Sequence, residues 1–139
     1  DMDIPEQPFP YSADTEGVRV DVRPEFLDDE SDMRAGRFLW RYTVRIANLG
    51  DETVQLLSRY WMISDENGRT QTVAGDGVVG EQPTLAPGEA FTYVSGCPLA
   101  TPSGMMFGHY VMEYRSGTRF EAKVPAFSLD SPHATKKRH

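Results

Sequence analysis

The sequence is poor in cysteine and in long apolar runs. Cys97 is the single cysteine among 139 residues, so no disulfide can form within the chain. No apolar segment headed by Arg or Lys opens the sequence, and we therefore expect a reducing, cytoplasmic location. The uninterrupted apolar runs are only a few residues long, far below the ~18 residues of a transmembrane helix. The sequence therefore predicts no insertion into a membrane.

Positive charge is also scarce. The chain has 14 Lys and Arg residues against 21 Asp and Glu residues, which gives a net charge of −7. Binding to nucleic acid or to an anionic membrane gains mainly from a basic surface that releases counterions, so this balance argues against both partners. The one basic cluster, Lys136-Lys137-Arg138, has no apolar residues beside it. We interpret residues 131–139 as a basic flexible tail.

Helical periodicity is absent, whereas the period-two alternation of a half-buried strand recurs along the chain. The alternation is clearest from Phe38 to Ile46. Its even positions, which we expect to be buried, are Phe38, Trp40, Tyr42, Val44 and Ile46. Its odd positions include Arg37, Arg41 and Arg45. These arginines form either an anion-binding face or a surface paired across strands, and the acidic N-terminal third favours the pairing.

Seven to eight such strands at fairly even spacing predict an all-β fold, an antiparallel β-sandwich of the immunoglobulin-like or fibronectin type III-like kind. A small barrel is the alternative. The strand that begins at Val18 should end at Pro24. A slip in the alternation at Leu56-Leu57 predicts a β-bulge, and Asn67-Gly68 predicts a tight hairpin turn with positive φ at both positions. We divide the chain into an extended N-terminal arm (residues 1–15), a sandwich domain (residues 16–130) and the tail (residues 131–139).

Side chains for catalysis or for a metal are sparse. Ser95 lacks the flanking pattern of a nucleophile elbow, and Cys97, which precedes Pro98, is better interpreted as a small buried apolar residue. The histidines available as bases are His109, His133 and His139. No pair of Cys or His residues has the spacing of metal ligands. We therefore expect no catalytic residue, no metal site and no cofactor, and we predict that the protein is not an enzyme.

A glycine-rich stretch offers the one candidate ligand site. Gly75, Gly77 and Gly80 match the pattern G-x-G-x-x-G, which in dinucleotide-binding folds places a pyrophosphate at a helix N-terminus. No helix can begin at Glu81-Gln82-Pro83-Thr84, so two interpretations remain: tight turns between strands, or a nest of amides that binds phosphate. Asp76 and Glu81 oppose a polyanion and favour the turns.

Several motifs resemble the bacterial ApaG family over nearly the whole ordered domain. The matching segments are residues 54–61 (VQLLSRYW), 65–68 (DENG), 75–83 (GDGVVGEQP), 85–91 (LAPGEAF) and 95–104 (SGCPLATPSG). The resemblance implies a fibronectin type III-like or immunoglobulin-like sandwich without an established enzymatic activity. Family members have been linked loosely to cobalt and magnesium resistance, and related eukaryotic domains serve as protein-interaction modules. The family's glycine motif, discussed for nucleotide or pyrophosphate binding, corresponds to Gly75, Gly77 and Gly80.

These observations predict a non-enzymatic binding domain whose partner is another protein, bound through loops or an exposed sheet edge. One alternative is a small-ligand protein that holds a phosphorylated nucleotide or pyrophosphate at the glycine motif. A second alternative is an accessory role in cobalt or magnesium homeostasis. The stretch Met105-Met106-Phe107 is either core or an adaptable contact surface, and we favour the core. The sequence leaves the oligomeric state open, a homodimer included.

Overall fold

The structure, a computed structural model, describes residues 8–134. It contains nine strands and a single 3-10 turn at Met33–Ala35, and none of the described residues forms a helix long and apolar enough to cross a membrane. The strands are β1 Tyr11–Thr15, β2 Val18–Phe26, β3 Phe38–Asn48, β4 Val54–Asp65, β5 Thr70–Asp76, β6 Thr84–Leu85, β7 Ala90–Leu99, β8 Gly104–Tyr114 and β9 Arg119–Leu129. The count exceeds the predicted seven to eight because β6 has only two residues and β1 lies in the segment expected as an arm.

The strands form two antiparallel sheets that pack face to face, which confirms the predicted sandwich. The first sheet, sheet A, has the order β1-β2-β3-β7. The second, sheet B, has the order β5-β4-β8-β9, and β6 pairs with the start of β4. The free edges of the two sheets are therefore β1 and β7 in sheet A, and β5 and β9 in sheet B.

The alternation of β3 places its apolar side in the core, as predicted. Phe38, Trp40, Tyr42, Val44 and Ile46 are all buried. The Trp40 ring packs edge-on against Phe26, and its indole N–H donates to the carbonyl of Asp130 at 2.7 Å. This bond ties the chain just after β9 to the centre of sheet A and satisfies the one polar atom of a fully buried side chain.

Two bulges shape sheet B. The register between β4 and β8 shifts between Leu56 and Ser58, which confirms the predicted bulge. A second shift, which the sequence did not indicate, lies opposite β9 between Met106 and Gly108. It leaves Met106 in the core while Met105 and Phe107 are exposed. The expectation that these three residues join the core is therefore right for Met106 alone.

Two local predictions are wrong. Asn67 does not adopt positive φ; only Gly68 does, because the Asp65 carboxylate accepts the amides of Asn67 and Arg69 and holds a three-residue turn. Pro24 does not end β2, which continues to Phe26. The pairing of β1 with β2 stops at Val22, so Pro24 lies where one edge of β2 has no partner strand and a missing N–H is tolerated.

One side of the sandwich is closed by β1 and β9. The Tyr11 ring packs against Phe127 with centroids 6.0 Å apart, and the Tyr11 hydroxyl accepts the Ser128 amide. Thr15 Oγ1 accepts the Lys123 amide at 3.1 Å. The expected arm therefore contributes, from Tyr11 onward, a strand that joins the two sheets. Residues 1–7 and 135–139, which include the basic cluster of the tail, lie outside the described residues.

Candidate binding surface

The glycine motif is part of a compact loop between β5 and β6. Gly75 lies at the end of β5, and Gly77 and Gly80 have φ of 62° and 81°. The Gly77 amide donates to the carbonyl of Leu57, the residue at the β4 bulge, at 2.8 Å. A Cβ on Gly77 would collide with the Glu81 carbonyl oxygen. The glycine is therefore required both by its positive φ and by this close approach.

The loop closes on itself through a tight turn. The Val78 amide donates to the Glu81 carbonyl, and the Glu81 amide donates back to the Val78 carbonyl. Val78 is buried, whereas Val79 is exposed with φ of 44°, a strained value for a β-branched residue. The amides of Gly77, Val78 and Glu81 are thus bound within the protein, and an anion at this loop would meet chiefly the amides of Val79 and Gly80.

Arg59 of β4 is the functional group beside the glycines that the motif alone did not reveal. Its Nη1 donates to the carbonyls of Asp76 and Gly77 at 3.0 and 2.9 Å, and its guanidinium lies over Gly75. The sequence did contain a signal for Arg59: it is a charged residue two positions before the buried Trp61, and so lies on the inward-facing side of β4. The structure therefore places a cation beside the loop, but with its donors directed at loop carbonyls.

A buried polar cluster lies between the sheets beside Arg59. The hydroxyls of Tyr93 and Tyr110 form a hydrogen bond with each other. Burial raises the pKa of Tyr110 well above its ordinary value and also raises that of Tyr93. Burial likewise raises the pKa of the Cys97 thiol to about 11. These groups stay neutral at physiological pH and stabilise the core as hydrogen-bonding or apolar side chains.

The groups considered for catalysis lie apart. Cys97 is buried on the inner face of β7. His109 stacks on Tyr60 on the outer face of sheet B and pairs with Glu121, while His133 pairs with Asp28. Within residues 8–134, no group of three His, Cys, Asp or Glu side chains could hold a metal ion. His139 lies outside the described residues.

The side of the sandwich opposite β1 and β9 is open. In the described part of the chain, β7 pairs with β3 and β5 pairs with β4, each along one edge only. Every residue of β5 from Thr70 to Ala74 is exposed, including Val73, although its neighbour across the strand, Trp61, is buried. Sheet B therefore extends past sheet A here, and β5 forms a ledge beside the free edge of β7.

A hollow of about 310 Å³ lies where this ledge meets the end of β7. Its lining includes Ile63 of β4, Gln71 of β5, and Pro98 and Leu99 of β7. We call the free edge of β7, the inner side of β5 and this hollow the open edge. It combines unpaired backbone groups with a recess whose walls are apolar at Ile63 and Leu99 and charged at Asp65 and Arg69.

The outer face of sheet A is charged and paired across strands. Arg41 donates to Glu25 at 2.6 Å, and Arg45 forms an ion pair of 3.1 Å with Asp21, whose carboxylate is buried. The preferred interpretation of the arginine stripe, pairing with the acidic N-terminal third, is therefore correct for these two arginines. Arg37 is exposed and lies just before β3.

Comparison with known proteins supports the resemblance to the ApaG family, both in sequence and in fold. Residues 28–122 match the ApaG domain family. The chain is similar to Protein ApaG of Rhodospirillum centenum, with 57% identity over 91% of this chain and 98% of that protein. It is 55% identical to Protein ApaG of Paramagnetospirillum magneticum over 88% of this chain and 95% of that protein.

Among solved structures, the putative ApaA protein from Bordetella pertussis superposes with a TM-score of 0.81 and 42% identity. The alignment covers 91% of this chain and all of that one. The chain belongs to the ApaG family.

Proposed function

We propose that the protein is a non-enzymatic domain that binds an extended segment of a partner protein by strand addition at the open edge. The observation that carries the proposal is the composition of β7. Ala90–Leu99 is a ten-residue edge strand without a single charged side chain. Uncharged edge strands offer a ready template for another strand, and proteins normally protect them with charges, proline or a covering segment.

Of the other edge strands, β9 carries such protection, whereas β5 has a single charged residue, Asp76, at its end. β9 contains Arg119, Glu121, Lys123 and Pro125, and its edge is met by side chains of β1. In β7, proline appears only at position 98, near the end of the strand. Residues 90–97 therefore present free backbone donors and acceptors without the usual obstacles, which is the feature that peptide-binding edges use.

The ledge gives the added strand a second contact. Because β5 extends beyond β7, a segment paired with β7 would have one face over Val73 and Gln71 and one face in solvent. Alternate side chains of that segment would point toward the hollow beside Ile63 and Leu99. The partner segment is thus expected to be extended, with an apolar residue at every second position on its inner face.

The charge of the chain favours a different protein over a second copy. Each copy carries a net charge of −7, so pairing two β7 edges would bring two acidic domains together against their mutual repulsion. We therefore assign the open edge to a neutral or basic segment of another protein.

Selection of peptides displayed in extended form against the purified protein tests this function. Val94, half exposed on the outer face of β7, is changed to lysine; Leu49→Lys in the turn after β3 is the matched control, since its exposure is 55% against 50%. We expect selected segments of alternating apolar pattern to lose binding at least about tenfold with Val94→Lys and to keep it with Leu49→Lys. Equal binding by both variants would contradict the proposal, as would a concentration-dependent dimer that Val94→Lys dissolves.

A second candidate is phosphate binding at the glycine loop, supported by the Arg59 guanidinium next to Gly75. We rank it lower because three loop amides already donate within the protein and because Asp76 and Glu81 flank the loop. Its test is titration with pyrophosphate, with and without magnesium. A one-to-one complex of about micromolar affinity that is lost on introducing a bulky residue at Gly80, which has open space around it, would promote this candidate to first.

A further inference from the structure

We propose that the partner segment carries an acidic side chain, Asp or Glu, that binds the Arg59 guanidinium on the inner side of β5. This pairing rests on the proposed function and specifies its partner: the strand that joins β7 has a carboxylate at one fixed position. The observation that carries it is an arginine within the open edge whose hydrogen-bond donors are only partly used by the described chain.

Arg59 extends across the ledge. In the register of β4 and β5 it lies directly opposite Gly75, just as Trp61 lies opposite Val73, and opposed residues share one face of a sheet. Its Nη1 and Nη2 atoms are 3.0 and 3.1 Å from the position that a Cβ on Gly75 would take. The missing side chain of Gly75 therefore leaves room for the guanidinium on the inner side of β5, in line with Val73.

The guanidinium is level with a residue inside β7, not with the end of that strand. Tyr110 lies directly opposite Arg59 in the register of β4 and β8, and its hydroxyl forms a hydrogen bond with that of Tyr93. Tyr93 belongs to β7, Ala90–Leu99. A segment paired along β7 thus continues on both sides of Arg59, which assigns the carboxylate to a side chain rather than to a chain terminus.

Part of this guanidinium needs a partner once the edge is covered. Nη1 donates to the carbonyls of Asp76 and Gly77. Within residues 8–134, Nη2 and Nε form no hydrogen bond, and no carboxylate pairs with Arg59. A strand laid over the ledge would exclude water from these donors, and covering a charge without an opposite charge is costly. A carboxylate removes that cost, because it can accept from Nη2 and Nε through two parallel bonds.

The ledge also fixes where the acidic residue lies in the segment. Gln71, beside the hollow, and Gly75, beneath Arg59, are four residues apart in β5, a distance of ~13 Å, and the inner side chains of a strand recur at every second residue. Because β7 ends at the hollow where β5 begins, an antiparallel partner of β7 runs in the direction of β5. Its order is apolar-x-apolar-x-acidic, facing the hollow, Val73 and Arg59. One acidic residue is compatible with a segment that is otherwise neutral or basic.

A double-mutant cycle on the full chain, measured by fluorescence anisotropy, tests this pairing. The probes are a peptide selected on the protein in extended form and the same peptide with its acidic residue replaced by the corresponding amide. The amide peptide should bind the unaltered protein about tenfold more weakly, whereas Arg59→Gln should bind both peptides within about twofold of each other. Arg119→Gln removes a charge from an exposed ion pair on sheet B and should keep the tenfold difference.

A second variant covers the possibility that Arg59→Gln does not fold, since Arg59 also holds the glycine loop. In Gly75→Ala the new Cβ meets only the end of the Arg59 side chain, so the fold should persist while the guanidinium is displaced from β5. The difference between the two peptides should then fall to about threefold or less. A difference that stays at tenfold in this variant would overturn the pairing.

Failure of this pairing is distinguishable from failure of the proposed function. Selected peptides that lose binding with Val94→Lys but have no acidic residue four positions after an apolar one would overturn the pairing alone. The same holds if the amide peptide binds as well as its acidic parent, or if the difference between them persists in a folded Arg59→Gln. If no extended peptide is selected, or if Val94→Lys leaves binding intact, the proposed function and the pairing are both contradicted.

Discussion

The two sides of the sandwich treat their edge strands in opposite ways. On the side of β1 and β9, side chains of Tyr11 and Thr15 bond to the β9 backbone, and β9 carries charges of both signs. On the side of β5 and β7, the described chain supplies no such bridge, and β7 carries no charge. Because unprotected edges invite association, this contrast is the basis on which we propose a binding role for the open edge.

The largest effect is expected from the core that both sides share. Trp40→Ala removes a side chain that is 1% exposed together with its bond to the Asp130 carbonyl, and should lower the free energy of unfolding by about 3–5 kcal/mol. Urea unfolding measures this change. An unaltered urea midpoint would contradict the prediction that the buried Trp40 side chain contributes this much to the free energy of unfolding.

The glycine loop anchors β5 on the open side. Gly77→Ala should destabilise the protein by about 3 kcal/mol, because the new Cβ meets the Glu81 carbonyl and the residue keeps a positive φ. Gly80→Ala is the matched control: its φ is also positive but the space around it is open, so about 1 kcal/mol is expected. Equal losses measured by thermal unfolding would mean that backbone conformation alone, and not the close approach, fixes the loop.

The closed side depends on a smaller contact. Tyr11→Ala removes the ring against Phe127 and the acceptor of the Ser128 amide. Since Tyr11 is only half buried, we expect a loss of about 2 kcal/mol, below that of a buried aromatic. Tyr11→Phe, which keeps the ring, should lose about 1 kcal/mol or less. Faster hydrogen exchange of β9 amides in Tyr11→Ala would show that this side has opened. Unchanged exchange would contradict the closure by β1.

The inner face of β7 should behave as dry core although its edge is open. Cys97 has a raised pKa of about 11 against an ordinary 9.0, and the pKa of Tyr93 is raised as well. Unfolded chains lose these protons first, so their contribution to stability is complete below pH 9 and is lost as pH rises. We expect the free energy of unfolding to decline above pH 9 for Cys97 and above pH 10, the ordinary pKa of a tyrosine, for Tyr93. Each group contributes a slope of up to about 1.4 kcal/mol per pH unit. Between pH 9 and 10, Cys97→Ala should flatten the decline. An identical slope in that variant would refute the burial of the thiol.

Regular strands could be predicted from the sequence because alternation is a local property. The buried side of β3 and the bulge at Leu56 follow from the order of apolar residues alone. The predicted positive φ at Asn67 is wrong because the Asp65 carboxylate selects a different turn. The predicted end of β2 at Pro24 is wrong because the pairing with β1 has already stopped there, so that one edge of β2 is free. Each depends on a neighbour whose position the local pattern does not contain.

The candidate site was harder to predict because it depends on the order of strands within each sheet. The glycines were found by their motif, but Arg59 reaches them only after β4 and β5 pair. That β7 is an edge strand follows from the sheet order, which connects residues distant in sequence. The sequence therefore predicted an exposed sheet edge without naming the strand, and the sheet order shows that β7 is such an edge strand.

The most direct test of the central claim is amide hydrogen exchange of the protein with and without a peptide selected on the open edge. We predict that amides of residues 90–97 that exchange rapidly in the free protein become protected in the complex, while amides of β9 keep their rates. The same protection should be absent in Val94→Lys and present in Leu49→Lys. Protection that appears instead on β9 or at the glycine loop, with β7 unchanged, would contradict binding at the open edge.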